Sequence, residues 1–328
     1  MNKCISCCIG AVLCINLSAP AKDYNGAELY SKSTVKYGRF DVRMRMVSGD
    51  GIISSFFLYY DNSYMGNPEP WQEIDIEVVG KFSNGYQSNV ITGTLEAKTS
   101  SEKFHNSDNL SQSYHTYTIE WTPDYIAWLF DGVEIRRTTG AQVTACQPKE
   151  MSYRFNLWIS SAASWAGQFN ASVLPVYQFI NWVRYSKYTP GSGTNGADFT
   201  PEWQDDFDTL SSSRWAKGDW TFDGSLVDFS PDNIVASDGY CIICLTKAGA
   251  TGFSGTVPKD QSTSIDNRKS DAGWRIPSIG YRNPAESFSV YLNGRLVSRD
   301  LEFFNRINSA LWITKGNNSI MQKIILSK

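Results

Sequence analysis

Histidine is almost missing from this chain: His105 and His115 are the only two among 328 residues. That scarcity excludes a multi-histidine metal centre and leaves few routes to a histidine-based nucleophilic triad. His115 lies in the strand-like run Tyr-His-Thr-Tyr-Thr-Ile-Glu-Trp, where a hydrogen-bonded structural role is expected. Usable cysteine is also scarce. Of the seven, Cys4, Cys7, Cys8 and Cys14 fall within the first 21 residues, leaving Cys146, Cys241 and Cys244, an odd number that defines no disulfide framework. Cys241 and Cys244, three apart on a strand, would face opposite sides and are expected to be buried rather than paired. Charged residues make up 19% of the chain, below the roughly 25% of an average globular protein. The formal net charge of −3 argues against phosphate-backbone binding, which needs clustered Lys and Arg, so nucleic acid is not an expected partner. Helical periodicity is sparse throughout.

Aromatic residues and β-rich segments are what the chain has instead. There are 11 Trp, 17 Tyr and 17 Phe, more than a core of this size needs, so some are expected on a binding surface. Residues 1–21 read as a secretory signal peptide: Lys3, an apolar stretch from Cys4 to Leu17, and Ala19-Pro20-Ala21 as a cleavage site. Short alternating segments follow at Arg39–Met46, Ile52–Tyr60, Gln87–Thr92, Tyr114–Trp121, Ile126–Phe130 and Arg154–Ile159, a spacing that suits an all-β sandwich. Asp131-Gly132 is a two-residue hairpin signal of type I′. Residues 189–197 form a glycine-rich internal connector. Strands resume at Trp203–Phe207, Trp215–Phe222 and Tyr240–Thr246 and are expected to complete the same domain, giving one unit over 22–258. Trp182, in a long apolar run, is expected in the core. Residues 259–286 read as a linker. Residues 287–328 read as a small β tail with two apolar runs, Phe288–Val297 and Ala310–Leu326, and room for only a marginal core.

The richest segment is Trp71-Gln-Glu-Ile-Asp-Ile-Glu77. A strand alternates its side chains between two faces, so Glu73, Asp75 and Glu77 would share one face while Ile74, Ile76 and Val78 enter a core. Three like charges so close make poor structural sense alone, whereas glycoside hydrolysis uses two carboxylates flanking one bond. On a flat strand the Cα atoms of Glu73 and Glu77 would stand about 13 Å apart, so their side chains must lean together across a twisted strand. Glu73 is expected to be ionised and Glu77 protonated, with Asp75 between them influencing both.

The run Glu73-Ile-Asp-Ile-Glu77-Val-Val-Gly80 resembles the E-x-D-x-E motif of glycoside hydrolase family 16. The surrounding chain looks like the bacterial 1,3-1,4-β-glucanases, or lichenases, of that family. Gly26-Ala-Glu-Leu-Tyr30, Tyr37-Gly-Arg-Phe40, Phe57-Leu-Tyr59, Gln87-Ser-Asn-Val-Ile-Thr-Gly93, His115-Thr-Tyr117, Glu120-Trp-Thr-Pro123, Arg154-Phe-Asn-Leu-Trp158 and Phe179-Ile-Asn-Trp182 resemble lichenase segments, in order. A segment like Trp203-Gln-Asp-Asp-Phe207 through Asp219–Gly224 begins most members yet here follows the acidic strand, so the chain resembles a circularly permuted lichenase. The resemblance implies a jelly-roll sandwich with a concave cleft. It makes Glu73 the nucleophile, Glu77 the general acid/base and Asp75 the assisting carboxylate. It also implies sugar contacts from Glu28, Phe57, Tyr59, Trp71, Gln87, Asn89, Arg154, Asn156, Trp158, Trp165 and Trp220. No cofactor is implied for catalysis, while Asn181, Asp206 and Gly239 match positions that would supply oxygen ligands to a structural calcium ion. The tail, through Tyr291-Leu-Asn-Gly-Arg-Leu-Val297 and its closing run, resembles a type IX secretion sorting domain.

The resulting expectation is a secreted, monomeric, retaining endo-glucanase. Its substrate would be mixed-linkage β-1,3-1,4-glucan, cut at β-1,4 bonds that follow a 3-O-substituted glucose. Secretion machinery would be engaged through the tail, and no segment of the mature protein would span a membrane. One alternative is a β-1,3-glucanase of the same family, although such relatives usually carry one more residue in the motif, E-x-D-x-x-E. The other is a glucan-binding protein without catalysis.

Overall fold

Strand β4 (Trp71–Val79) shows how the alternation is used: Ile74, Ile76 and Val78 are 0–1% exposed within the main apolar cluster. Each such side chain contributes about 1.5–3 kcal/mol by leaving water, which fixes the register, because a one-residue slip would bury the acids instead. The computed structural model describes residues 21–193 and 196–260, together with four short strands between 288 and 324. It divides into two compact units, 1–264 and 265–328. The expected signal peptide lies almost wholly outside the described residues, as does the linker beyond residue 260.

The first unit is an antiparallel jelly-roll sandwich. Sheet I runs in the order β14 (Trp215–Lys217), β1 (Tyr24–Ser31), β11 (Ser152–Ile159), β3 (Ile52–Tyr59), β4 and β5 (Gly85–Thr94). Two short strands, β6 (Ala97–Ser100) and β7 (Lys103–Asn106), share the far edge of β5. Sheet II runs β10 (Val133–Thr139), β9 (Tyr125–Phe130), β8 (His115–Trp121), β2 (Gly38–Arg45) and β12 (Val176–Tyr188). The far edge of β12 is shared by β17 (Tyr240–Lys247), which carries β16 (Ile234–Ser237), and by β13 (Phe199–Asp205). Between the sheets lie Phe40, Phe56, Tyr117, Trp121, Trp128, Tyr153 and Phe155, all within 1% of full burial. Asp131 and Gly132 both take positive φ, as the expected hairpin between β9 and β10 requires.

β12 and β13, which flank the expected connector, pair antiparallel, and Thr189 N–H donates to the Asp198 carbonyl at 2.8 Å; residues 194 and 195 lie outside the described residues. The strands after the connector complete the earlier ones: β14, β15 (Val227–Phe229) and β17 all pair with β1. Of the expected Trp215–Phe222 strand only Trp215–Lys217 forms, and the rest turns away over the end of sheet I. Trp182 is not in the core. Asn181 is skipped in the register of β12 with β2, which passes from Ile180↔Met44 to Trp182↔Arg43, so parity flips and Val183 and Tyr185 point inward. Trp182 is half-buried on the outer face under the Arg184 guanidinium.

Cys241 and Cys244 are buried and unpaired in two different clusters, as their spacing implied, and Cys146 is likewise a free buried thiol. His115 is hydrogen-bonded on both ring nitrogens, to Ser113 and Asp131, each at 2.8 Å. Lys259 and Asp260, expected in the linker, lie on the first unit: Asp260 pairs with Arg43 at 2.8 Å. In the second unit, β18 (Phe288–Leu292), β19 (Arg295–Ser298), β20 (Leu311–Lys315) and β21 (Met321–Ile324) form an antiparallel sheet in the order β19-β18-β20-β21. Both expected apolar runs are thus hairpins, and their turns lie outside the described residues. Among the described residues no helix is long and apolar enough to cross a membrane.

Candidate active site

β4 lies in the middle of sheet I, paired without interruption to β3 on one side and β5 on the other. Directly opposed residues of an antiparallel ladder share a face, so the register writes out the outer face in rows. One row reads Tyr30, Arg154, Phe57, Asp75, Asn89 across β1, β11, β3, β4 and β5; the next reads Glu28, Asn156, Ser55, Glu77, Gln87. A third holds Ser152, Tyr59, Glu73 and Ile91. Glu73, Asp75 and Glu77 therefore do share one face, among the side chains the resemblance singled out.

Each glutamate has its own holder. The Trp71 indole N–H donates to Glu73 Oε2 at 2.7 Å, and the Gln87 amide donates to Glu77 Oε2 at 3.0 Å. Burial raises all three carboxyls above their ordinary range, most strongly Asp75, which also faces the charges of Glu73 and Glu77. Glu73 and Glu77 are each pushed up to about 7, chiefly by burial. Their surroundings then differ. The Trp71 hydrogen bond and the Lys98 ammonium pull Glu73 down, whereas Glu73 and Glu102 push Glu77 up against its hydrogen bond from Gln87. Glu28 also pushes Glu73 up, and the two carboxyls end at the same level, so the expected division into ionised Glu73 and protonated Glu77 is not set by these surroundings alone. Asp75 Oδ2 is buried with no hydrogen-bond partner. A proton on Asp75 would turn that oxygen into a donor toward Glu73.

Beside the acids lies a polar floor. Arg154 donates to Glu28 at 2.6 Å, to Asp61 at 2.8 Å and to Ser152 at 2.7 Å, beneath the rings of Tyr59 and Tyr30. Burial pushes the Glu28 carboxyl up against the pull of Arg154. Asn156 donates to Glu28 and accepts a short hydrogen bond from Ser55. Trp158 extends the face, packed on Trp165 of the short helix Ala163–Ala166 at 6.4 Å and on Phe222 at 4.9 Å. Trp220 stands 5.3 Å from Tyr30. Asn89 is buried, with its Oδ1 taken by Ser100 and the Ser101 N–H, so only its N–H₂ group is free for the outer face.

Several contributors carried no sequence signal strong enough to single them out. Tyr30 and Ser55 could have been found by parity, two residues from Glu28 and Phe57. Asp61, Phe222 and Lys98 come from turns or edges, where alternation says nothing. Lys98 sits 3.8 Å over the Trp71 ring. Trp128, on β9 of sheet II, donates its indole N–H across the core to the Asp75 carbonyl at 2.9 Å, with the Arg136 guanidinium 4.4 Å over its ring. Arg136 in turn donates to Ser88, which contacts His105, and burial lowers His105 to about 4, so its ring is neutral.

Asn181, Asp206 and Gly239 converge by topology away from this face. Asn181 falls where β12 leaves β17 (last pair Ile180↔Cys241) and takes up β13 (first pair Val183↔Asp205). Gly239, at φ 78°, closes the β16–β17 turn, and Asp206 follows β13. Among the described residues no group of three His, Cys, Asp or Glu could hold a metal. A cation here would thus rely on carbonyl and amide oxygens with Asp206 as the carboxylate, a donor set that suits calcium.

Comparison with known proteins places the chain in a family. The family profile "Glycosyl hydrolases family 16" matches residues 11–184. A "Beta-glucanase" of Fibrobacter succinogenes is 50% identical over 251 residues, 76% of this chain and 71% of that one. A "Beta-glucanase" of Bacillus amyloliquefaciens is 35% identical over 176 residues, covering 52% and 68%. The solved Bacillus licheniformis β-glucanase is 34% identical, covers 48% of this chain and 70% of its own, and superimposes with a TM-score of 0.41. By profile and by identity, the chain belongs to glycosyl hydrolases family 16.

Proposed function

We propose that the protein is an exported endo-glucanase that cleaves mixed-linkage β-1,3-1,4-glucan, at β-1,4 bonds following a 3-O-substituted glucose, by a retaining double displacement. The observation that carries this reading is the carboxylate trio on one uninterrupted strand, with Trp71 holding Glu73 and Gln87 holding Glu77. The names of the Fibrobacter and Bacillus relatives support the substrate class. The regular ladder favours the mixed-linkage enzyme over the β-1,3 branch: Glu73 to Glu77 pairs residue for residue with β3 and β5, leaving no room for a further residue in the motif.

In this mechanism Glu73 attacks the anomeric carbon while Glu77 gives its proton to the departing oxygen. Glu77, now ionised, takes a proton from water, which releases the sugar from Glu73. While Glu73 is ionised, a protonated Asp75 would offer it a hydrogen bond, and while Glu73 is esterified Asp75 would keep that proton, so no proton leaves the pair during the cycle. The floor of Glu28, Arg154 and Asn156 would read hydroxyls, and Tyr59, Trp158, Trp165 and Trp220 would stack on pyranose rings, at an open face suited to a long chain.

Circular permutation is part of the same proposal. The profile match ends at residue 184, and the strands after residue 198 complete both sheets around β1. Export through the residue 1–21 signal, sorting by the tail, a monomeric state and structural calcium at Asn181, Asp206 and Gly239 are proposed with it.

Chemical rescue tests the roles. Glu73→Ala and Glu77→Ala are each expected to abolish hydrolysis in a folded protein. Azide should restore turnover of an activated substrate to give an α-glycosyl azide from Glu73→Ala and a β-glycosyl azide from Glu77→Ala. Swapped products would reverse the two roles, and inverted sugar from the native protein would refute double displacement.

A further inference from the structure

We propose that Phe104 and Phe82 form a stacking platform for the sugar on the leaving-group side of the scissile bond, an inference that rests on reading the outer face of sheet I as the glucan cleft. The row that contains Glu77 does not end at Gln87. In the register of β5 with β7, Gln87 opposes Phe104, while their neighbours Tyr86 and His105 oppose each other and are buried. Phe104 must therefore stand on the same outer face as Glu77, one strand beyond Gln87. Gly85 makes room for it: a Cβ there would lie 2.5 Å from Phe104 Cζ.

Phe82, from the turn between β4 and β5, meets Phe104 with ring centroids 4.9 Å apart. These rings are 38% and 40% exposed, unlike Phe57 at 6% in the next row. The turn is held by Lys81, whose ammonium lies 5.4 Å over Phe82 and donates to the Ser164 carbonyl at 3.0 Å. Two adjacent rings match one pyranose in size and fall far short of a protein interface. A β-glucopyranose presents an apolar C–H face to such rings while its equatorial hydroxyls stay in water.

Chemistry assigns the side. The sugar that develops charge needs polar groups aimed at it, and these lie across β1 and β11, on the other side of β4. Phe104 and Phe82 bring no side-chain hydrogen-bonding group, so they would hold a sugar without fixing its hydroxyls. That suits a unit which must be seated for attack and then released.

The test is the ratio of kcat/KM for mixed-linkage polymer to kcat/KM for an oligoglucosyl fluoride, which carries no sugar beyond the scissile bond. In the full chain, Phe104→Ala and Phe82→Ala are each expected to lower that ratio by about three- to tenfold, while Phe104→Trp preserves it. Thermal unfolding confirms that the variants fold. An unchanged ratio in both alanine variants, or an equal loss in Phe104→Trp, would overturn the platform. No hydrolysis of either substrate by the unaltered protein would instead overturn the glucanase reading, and the platform with it.

Discussion

At the scale of single residues, burial raises all three carboxyls of the site. Burial pushes the Glu77 carboxyl up to about 7 in the folded chain against an ordinary 4.5. A carboxyl whose folded pKa is raised contributes stability that is fully present below the unfolded value and lost as pH rises through the folded one. The native protein should therefore lose stability between pH 4.5 and about pH 7 through this group. Glu77→Gln, which cannot ionise, should escape that loss. The variant's advantage over the native protein is expected to grow by about 1–2 kcal/mol across this window, after allowing for solvent at an open face. Denaturant unfolding at the two ends of the window checks it, and a constant difference would show that Glu77 titrates normally when folded.

At the scale of elements, β4 is held from the core side as well as by its neighbours in the sheet. Trp128 reaches through the core to the Asp75 carbonyl, a positioning role for a residue on the opposite sheet. Trp128→Phe keeps most of the packing and removes the donor. It is expected to cost about 1–2 kcal/mol of stability and to lower kcat several-fold with little change in KM, shifting the pH profile as the three carboxylates relax. An unaltered pH profile and kcat would make Trp128 purely structural. The acids on β4 were legible in the sequence because period-2 alternation with isoleucines leaves one reading of the face. Trp128 was not, because its partner is a main-chain carbonyl, and a lone tryptophan in an apolar strand looks like packing. Trp182 misled for the opposite reason: the bulge at Asn181 changes parity, and no residue type announces a bulge. Phe82, Phe222 and Lys98 escaped because turns and edge strands carry no periodicity.

At the scale of the whole molecule, the strands that follow the acidic one in sequence finish the sheets that precede it, as a relocated leading segment of a family domain would. That reading sets where the folded unit ends. Asp260 holds Arg43 through two hydrogen bonds of 2.8 Å and Asn181 through one of 3.0 Å, beyond the boundary at 258 that the sequence suggested. A fragment of residues 22–260 is therefore expected to be more stable than one of 22–258 by about 1–2 kcal/mol, because the shorter one loses both 2.8 Å hydrogen bonds to Arg43 and leaves it only the longer 3.7 Å contact with Asp131; equal unfolding midpoints would contradict this. The central claim concerns the polymer itself. The most direct measurement is the release of reducing ends from mixed-linkage barley glucan, pure β-1,3-glucan and pure β-1,4-glucan, each supplied separately, with product sizes recorded. The account predicts short oligosaccharides from the mixed-linkage polymer alone. Release from pure β-1,3-glucan, or binding of glucan with no release at all, would contradict it.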